Sequence, residues 1–173
     1  MEMLKVCCVT GHRPQGFPWD YYDTESISYQ EYIESMACFV GEAIRKQKVN
    51  YFIAGGAIGV DSDFAEIVLG LRDSFYDHIK LEIAVPCPNQ DKHWSDKEKK
   101  AYAKILERAD KVTYVSDKYT NFCMQKRNQY MVDHSDIVFA FWNEQKKSGG
   151  TYNTIQYAKK KNKQLELFVL NNY

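Results

Sequence analysis

The sequence lacks an excess of either charge. Lysine and arginine together number 23, and so do aspartate and glutamate, which gives a formal net charge of zero at pH 7. A protein whose main partner is a nucleic acid usually carries a basic excess. The balance therefore argues against nucleic acid as the partner, although it leaves room for a local basic patch.

Long apolar runs and a leader segment are missing as well. No apolar run approaches the roughly 20 residues that a membrane-spanning helix needs. Glu2 places an acid where a signal peptide would carry basic residues before an apolar stretch. We therefore expect a cytoplasmic protein with no membrane partner.

Cysteine and histidine occur without the spacings of metal sites. The five cysteines form no C-x-x-C pair, and the four histidines show no i,i+4 pairing. An odd number of cysteines, two of them inside an apolar strand, is typical of reduced structural thiols rather than of a disulfide framework. We predict no metal site and no cofactor.

Short apolar runs and helical patterns alternate along the whole chain. Strands are predicted over 6–9, 51–54, 80–87, 111–115, 136–142 and 165–170. Helices are predicted from Ser28 onward, then over 60–71, 95–109, 122–135 and 152–161. This alternation predicts one α/β domain over 1–173, a three-layer sandwich with a mainly parallel sheet of about six strands.

Two of the predicted helices begin with a capping-box pattern, a serine followed three residues later by a glutamate. The pairs are Ser28 with Glu31 and Ser95 with Glu98. We expect both serines to be N-caps.

The segment "TGHRP" follows the first strand directly. In a parallel sheet, ligands bind beyond the carboxyl ends of the strands. Gly11 permits close approach of a ligand, and Arg13, beside His12, is suited to pair with a phosphate. The alternative is a turn whose arginine pairs only with a surface carboxylate.

The segment "AGGAIGVD" places Gly55, Gly56 and Gly59 between a strand and a helix, with Asp61 next. It matches neither the Walker A motif nor G-x-G-x-x-G. We interpret it as a phosphate cradle at a helix N-terminus, with Asp61 accepting from ribose hydroxyls. The alternatives are a tight turn that needs positive φ and an aspartate that only stabilises the first helical turn.

The segment "SGGT", formed by Ser148, Gly149, Gly150 and Thr151, repeats this arrangement after another strand. Two Gly-Gly turns at strand ends favour a second phosphate contact. The alternative for Thr151 is an N-cap role.

The segment "PCPNQDKHW" offers groups suited to a base. Gln90 is suited to read a base edge, and Trp94 or His93 to stack on it. The alternative is that Trp94 anchors the helix that follows.

The loop over 11–27 is long for such a connection and is rich in aromatic residues. We predict a lid or side wall over the phosphate loops, with a ring available to stack on a base. A static flap over the sheet edge or a subunit interface is the alternative, so a homo-oligomer stays open.

Five segments recur in order along nearly the whole chain: "VTGHRP", "GGAIGVD", P-x-x-x-Q-x-x-x-W at 86–94, "QKRNQYMVDHSD" at 125–136 and "SGGT". Together they resemble the SLOG superfamily, which includes the SMF/DprA and LOG proteins, and specifically its YpsA-like branch. The resemblance implies a Rossmann-like fold and a nucleotide-derived small molecule as ligand. It also implies that Arg127 and Asn128 lie at the pocket rim.

The leading functional hypothesis is therefore the binding of a nucleotide or ADP-ribose-like ligand for sensing or sequestration. An alternative is a nucleoside or nucleotide N-glycosidase similar to the LOG phosphoribohydrolases, whose R-K-x-x-M motif is matched in part by Arg127 and Met131. The LOG glutamate after the second glycine pair is absent here. Only Asp61, Asp63 or Glu66 remains as a substitute acid, so the catalytic residues stay unknown.

A DprA-like role in single-stranded DNA binding is the other alternative. It rests on the resemblance of "GGAIGVD" to the SMF motif and on the basic runs "KKSGG" and "KKKNK".

Overall fold

The computed structural model describes residues 3–173, so Glu2 lies outside the described residues. The strands are β1 Val6–Gly11, β2 Tyr51–Ala54, β3 Lys80–Val85, β4 Lys111–Tyr114, β5 Ile137–Trp142 and β6 Gln164–Val169. The α-helices are α1 Ile27–Gln47, α2 Val60–Ser74, α3 Asp96–Arg108, α4 Cys123–Asp133 and α5 Gly150–Lys160. Short 3-10 helices occur at Pro14–Gly16 and Leu170–Asn172.

The six strands form one sheet in the order β4-β3-β2-β1-β5-β6, and every neighbouring pair is parallel. The chain builds outward from β1 to β4 on one side, and then returns to add β5 on the other side of β1. Strand order therefore reverses between β1 and β5, and this switch point is where a parallel sheet opens a crevice for a ligand. The predicted fold class is confirmed.

Helices cover both faces of the sheet. Cys7 in β1 packs in a core cluster with residues of α1, α2 and α3, whereas its neighbour Cys8 packs in a second cluster with residues of α4 and α5. Successive side chains of a strand point to opposite faces. A strand covered on both faces is therefore apolar at consecutive positions, as Val6 to Val9 of β1 are.

The N-termini of α1 and α3 correct one prediction and confirm another. The Oγ of Ser26 accepts a hydrogen bond from the backbone N of Tyr29 at 3.2 Å, so α1 begins at Ile27 and the predicted cap at Ser28 is wrong. Ser26 is held in place because its hydroxyl donates to the carbonyl of Asp23 at 2.7 Å. The capping box of Ser95 is confirmed.

The start of α5 corrects a further expectation. Gly149 is its N-cap, and Thr151 is the second residue of the helix rather than a cap.

Across residues 3–173, we find no helix with the combination of length and apolar character that crossing a membrane requires.

Candidate functional site

The loops that follow β1 and β5 bracket a cavity of about 320 Å³ at the switch point of the sheet. Most of the predicted ligand-binding residues line it, namely Gly11, His12, Arg13, Asp61, Arg127, Asn128, Ser148, Gly149, Gly150 and Thr151. The rest of its lining is Thr10, Gln15, Gly16, Ala57, Met124 and Lys146. Segments far apart in sequence therefore meet in one place because parallel strands end at the same edge.

The N-terminus of α5 forms one wall of this cavity. Gly149 has a φ of +92°, and no atom lies within 4 Å of where its Cβ would be, so the backbone conformation rather than space calls for glycine. The first N–H groups of a helix have no partner within the helix, and its dipole makes that end positive. Lys146 adds a full charge to the same wall. This wall suits an anion.

The inner wall of the cavity contains a buried ion pair. Nη1 of Arg127 lies 3.9 Å from Oδ2 of Asp61, and both side chains are more than nine-tenths buried. Arg127 also donates from Nη1 to the carbonyl of Gly55 at 2.6 Å and from Nε to Oδ1 of Asn128 at 2.8 Å. The guanidinium is therefore fixed by the fold before any ligand arrives.

Burial acts on both members of this pair. Burial raises the pKa of Asp61, and the charge of Arg127 opposes that rise. Burial lowers the pKa of Arg127, and the charge of Asp61 opposes that fall. Arginine nevertheless stays protonated in proteins, so the cavity keeps a cation next to an acid that takes up protons more readily than an exposed aspartate.

The glycine run after β2 lies behind the cavity rather than along it. A Cβ on Gly55 would stand 2.6 Å from Oδ2 of Asp61 and would collide with Nη1 of Arg127. Gly56 is buried beside Tyr102, and Gly59 is buried against the backbone of His12. Gly55 therefore makes room for the ion pair, and none of the three glycines lines the 320 Å³ cavity.

His12 contributes a neutral ring to the cavity. Burial, reinforced by the charge of Lys146, lowers its pKa to about 4. Its Nε2 is shielded from solvent and has no hydrogen-bond partner among residues 3–173. At neutral pH the positive charge of the site thus comes from Arg13, Arg127 and Lys146.

The three residues predicted to contact a base, Gln90, His93 and Trp94, lie outside this cavity. Nε2 of Gln90 donates to the hydroxyl of Tyr102 at 2.9 Å, and the ring of Trp94 meets that of Tyr102 edge-on at 5.2 Å. Trp94 lines a separate depression of about 170 Å³ together with Arg13 and Tyr22. Arg13 is therefore shared between the two spaces.

The other candidate acids are engaged elsewhere. Asp63 accepts hydrogen bonds from the hydroxyls of Tyr21 and Tyr32, both at 3.0 Å. Glu66 is exposed and pairs with Arg108 at 3.2 Å. Within the described residues, Asp61 is the only carboxylate that lines the cavity.

Sequence reasoning missed Lys146 as a member of the site. Lys146 and Lys147 both belong to the run "KKSGG", which the sequence singled out only as a basic run for DNA binding. The structure separates them, because Nζ of Lys147 lies 4.5 Å from the ring centroid of Trp142 whereas Lys146 lines the cavity. Within residues 3–173, no group of three or more histidine, cysteine or acidic side chains is placed to hold a metal ion.

These features define a Rossmann-like α/β protein with a polar cavity at the switch point of its sheet. The sequence profile of the YspA SLOG family, named YpsA, matches residues 7–172, so the chain belongs to that family and the recognised resemblance is confirmed.

The chain is also similar to curated proteins of the same branch. It is 37% identical to the uncharacterized SPbeta prophage-derived protein YoqJ of Bacillus subtilis, over 73% of this chain and 80% of that protein. It is 27% identical to a UPF0398 protein of Halalkalibacterium halodurans, over 93% of this chain and 84% of that protein. A UPF0398 protein of Bacillus cereus is 28% identical over 91% of this chain and 84% of its own length.

Proposed function

We propose that the protein binds a nucleotide or an ADP-ribose-like molecule in the cavity between the loops after β1 and β5, for sensing or sequestration. The observation that carries the proposal is the convergence of a helix N-terminus, Arg13 and Lys146 on one cavity at the switch point. Family membership supports the fold, and the chemistry of the cavity lining supports the class of ligand.

The phosphate binds at the wall made by Gly149, Gly150 and Thr151. Helix N-termini bind phosphate through backbone N–H groups and the helix dipole. Thr151 is buried at the cavity and adds a hydroxyl donor there. Arg13 is exposed at the mouth and closes on the phosphate as a charged donor.

The sugar binds beside Asp61. An ionised carboxylate accepts hydrogen bonds but repels phosphate, so it suits ribose hydroxyls. Because Arg127 already neutralises part of its charge, Asp61 does not oppose the phosphate on the other side of the cavity.

The test is calorimetry with a panel of inorganic phosphate, ribose 5-phosphate, the four nucleoside monophosphates, ADP and ADP-ribose. We expect binding of at least one nucleotide and a weaker affinity in Lys146→Ala. Lys147→Ala is the matched control, because the adjacent lysine lies over Trp142 instead. Absence of binding by every member of the panel would overturn the proposal.

A second candidate, N-glycosidic cleavage, is favoured by one observation. Asp61 is the one carboxylate of the described residues at the cavity, and burial raises its pKa, as a general acid or base requires. Incubation with the same nucleotides and chromatography for free base tests it. Release of base by the wild type and its loss in Asp61→Asn is the supporting result, whereas binding without release leaves a binding protein.

DNA binding has no such support from the described residues. The run "KKSGG" leads into the first turn of α5 and "KKKNK" lies at its far end, so the helix separates the two basic runs. Lys161 pairs with Asp133, and Lys163 donates to the carbonyl of Ser135. Two of the four lysines of the second run are thus engaged within the fold.

A further inference from the structure

A second cavity of about 400 Å³ runs along the groove between α4 and α5. Met124, Asn128 and Gly150 line both this cavity and the one at the switch point. The two spaces therefore adjoin, and a ligand held at the N-terminus of α5 lies next to the groove.

The groove is lined by an unusual number of carboxamides. They are Asn121, Gln125, Asn128, Gln129, Asn153 and Gln156. Within residues 3–173, Asn128 is the only one of them whose side chain bonds to the protein, where it accepts from Arg127. Other carboxamides of the chain serve the fold, as Asn50 does toward Lys5 and Asn143 toward Gly16.

The groove differs from the neighbouring cavity in its charge. Lys160 is the one charged side chain among the described residues that line it. Phosphate only accepts hydrogen bonds, whereas a carboxamide offers a donor and an acceptor side by side. The matching partner is therefore an uncharged planar group that carries both a hydrogen-bond donor and an acceptor. A nucleobase edge has this pattern, and Asn and Gln side chains bind such an edge through two hydrogen bonds.

We propose that the groove between α4 and α5 is the subsite for the nucleobase of the ligand. This inference rests on the proposed function, because the phosphate must lie at the N-terminus of α5 for the base to reach the groove. Gln129 from α4 and Asn153 from α5 bind the base edge from opposite sides. Met124 and Tyr157 supply apolar surface for its ring.

The experiment compares ribose 5-phosphate with the tightest-binding nucleoside monophosphate, by calorimetry on the full chain. The test variant is Gln129→Ala/Asn153→Ala, and the matched control is Gln30→Ala, an exposed glutamine of α1. We expect the double variant to bind the nucleotide about tenfold more weakly and ribose 5-phosphate unchanged, since only the nucleotide carries a base. Gln30→Ala should bind both as the wild type does.

Two results overturn the inference while the proposed function stands. One is wild-type affinity of the double variant for the nucleotide. The other is a loss for the nucleotide in Trp94→Ala without a loss in the double variant, which would place the base in the depression beside Tyr22. If the wild type binds no member of the panel, the proposed function fails, and the inference fails with it.

Discussion

Arg127 and Asp61 form an ion pair across 3.9 Å in which both side chains are almost fully buried. Asp61 belongs to α2 on one face of the sheet, and Arg127 belongs to α4 on the other. The pair therefore joins the two helical layers at the carboxyl edge. It also forms the inner wall of the candidate site, so stability and binding depend on the same contact.

Replacing Arg127 by methionine should destabilise the protein by about 3–5 kcal/mol, because it leaves Asp61 buried without a counter-charge. The carbonyl of Gly55 loses a donor in the same change. Urea unfolding measures the loss. The loss of stability should be smaller at pH 5 than at pH 8, because the carboxyl of Asp61, once it has no counter-charge, takes up a proton more readily at the lower pH.

The matched control for this prediction is Arg108→Met. Arg108 is partly exposed and pairs with Glu66 and Asp73 at the surface, where ion pairs contribute little to stability. A loss in Arg127→Met no larger than the loss in Arg108→Met would show that the buried pair does not hold the layers together.

Two glycine-to-alanine changes should have opposite effects on stability. Gly55→Ala puts a Cβ against Asp61 and Arg127, so we expect a loss of about 1–3 kcal/mol from overpacking. Gly70→Ala lies inside α2, with no atom within 4 Å of the new Cβ, and should stabilise by about 0.5–1 kcal/mol. Thermal and urea unfolding of both variants measure these changes. Equal effects of the same sign would contradict the close packing at Gly55.

The fold was predictable because its signals are local. β1 is apolar at consecutive positions because both faces of the sheet are covered, and each later strand is followed or preceded by a helical pattern. The start of α1 was less predictable because Ser26 and Ser28 are both good caps. The hydrogen bond from Ser26 to Asp23 decides between them, and no short-range pattern reveals it.

The candidate site was predictable in location but not in the role of each residue. The alternation of elements predicts that these loops lie at the carboxyl edge of the sheet, but it does not give the strand order, which reverses between β1 and β5 and brings their two loops together. The role of Gly55 depends on Arg127, which is 72 residues further along the chain. A contact of that range leaves no trace in the spacing of the glycines, so they looked like a phosphate cradle.

Asp63 should make stability fall as pH rises from about 4 to about 7. Burial is the main reason that the pKa of Asp63 is raised to about 7, with the charges of Asp61 and Glu66 adding to it and the hydrogen bonds from Tyr21 and Tyr32 opposing it. Between the two pKa values the folded protein holds a proton that the unfolded chain releases. A higher pH therefore favours unfolding.

The variant Asp63→Asn isolates this effect from that of His12, whose lowered pKa acts in the opposite direction. We expect the stability of Asp63→Asn, relative to the wild type, to increase between pH 5 and pH 7 and to level off above about pH 7. Urea unfolding at four pH values measures the difference. Parallel pH profiles for the two proteins would mean that Asp63 does not titrate in this range.

Arg13→Ala should weaken nucleotide binding by about 1.5–3 kcal/mol if the guanidinium makes a charged hydrogen bond to the phosphate. Arg13 is exposed at the cavity mouth, so the change should leave unfolding in urea unaltered. The control is Arg45→Ala, an exposed arginine of α1 that donates to the hydroxyl of Tyr76. Unchanged affinity by calorimetry would remove Arg13 from the site.

Hydrogen exchange across the loop over 15–27 should distinguish a side wall from a moving lid. Phe17 is buried there, and Nε1 of Trp19 donates to the carbonyl of Leu170 at 3.1 Å. The hydroxyl of Tyr21 donates to Asp63 in α2. These contacts hold the loop against the core without a ligand, so we expect slow exchange over 15–27 that does not change when nucleotide is added. Residues 147–149 are exposed, and among the described residues their backbone N–H groups have no hydrogen-bond partner, so this segment should become protected when the phosphate binds its amides. Protection that appears over 15–27 only with nucleotide would instead show a lid that closes over the cavity.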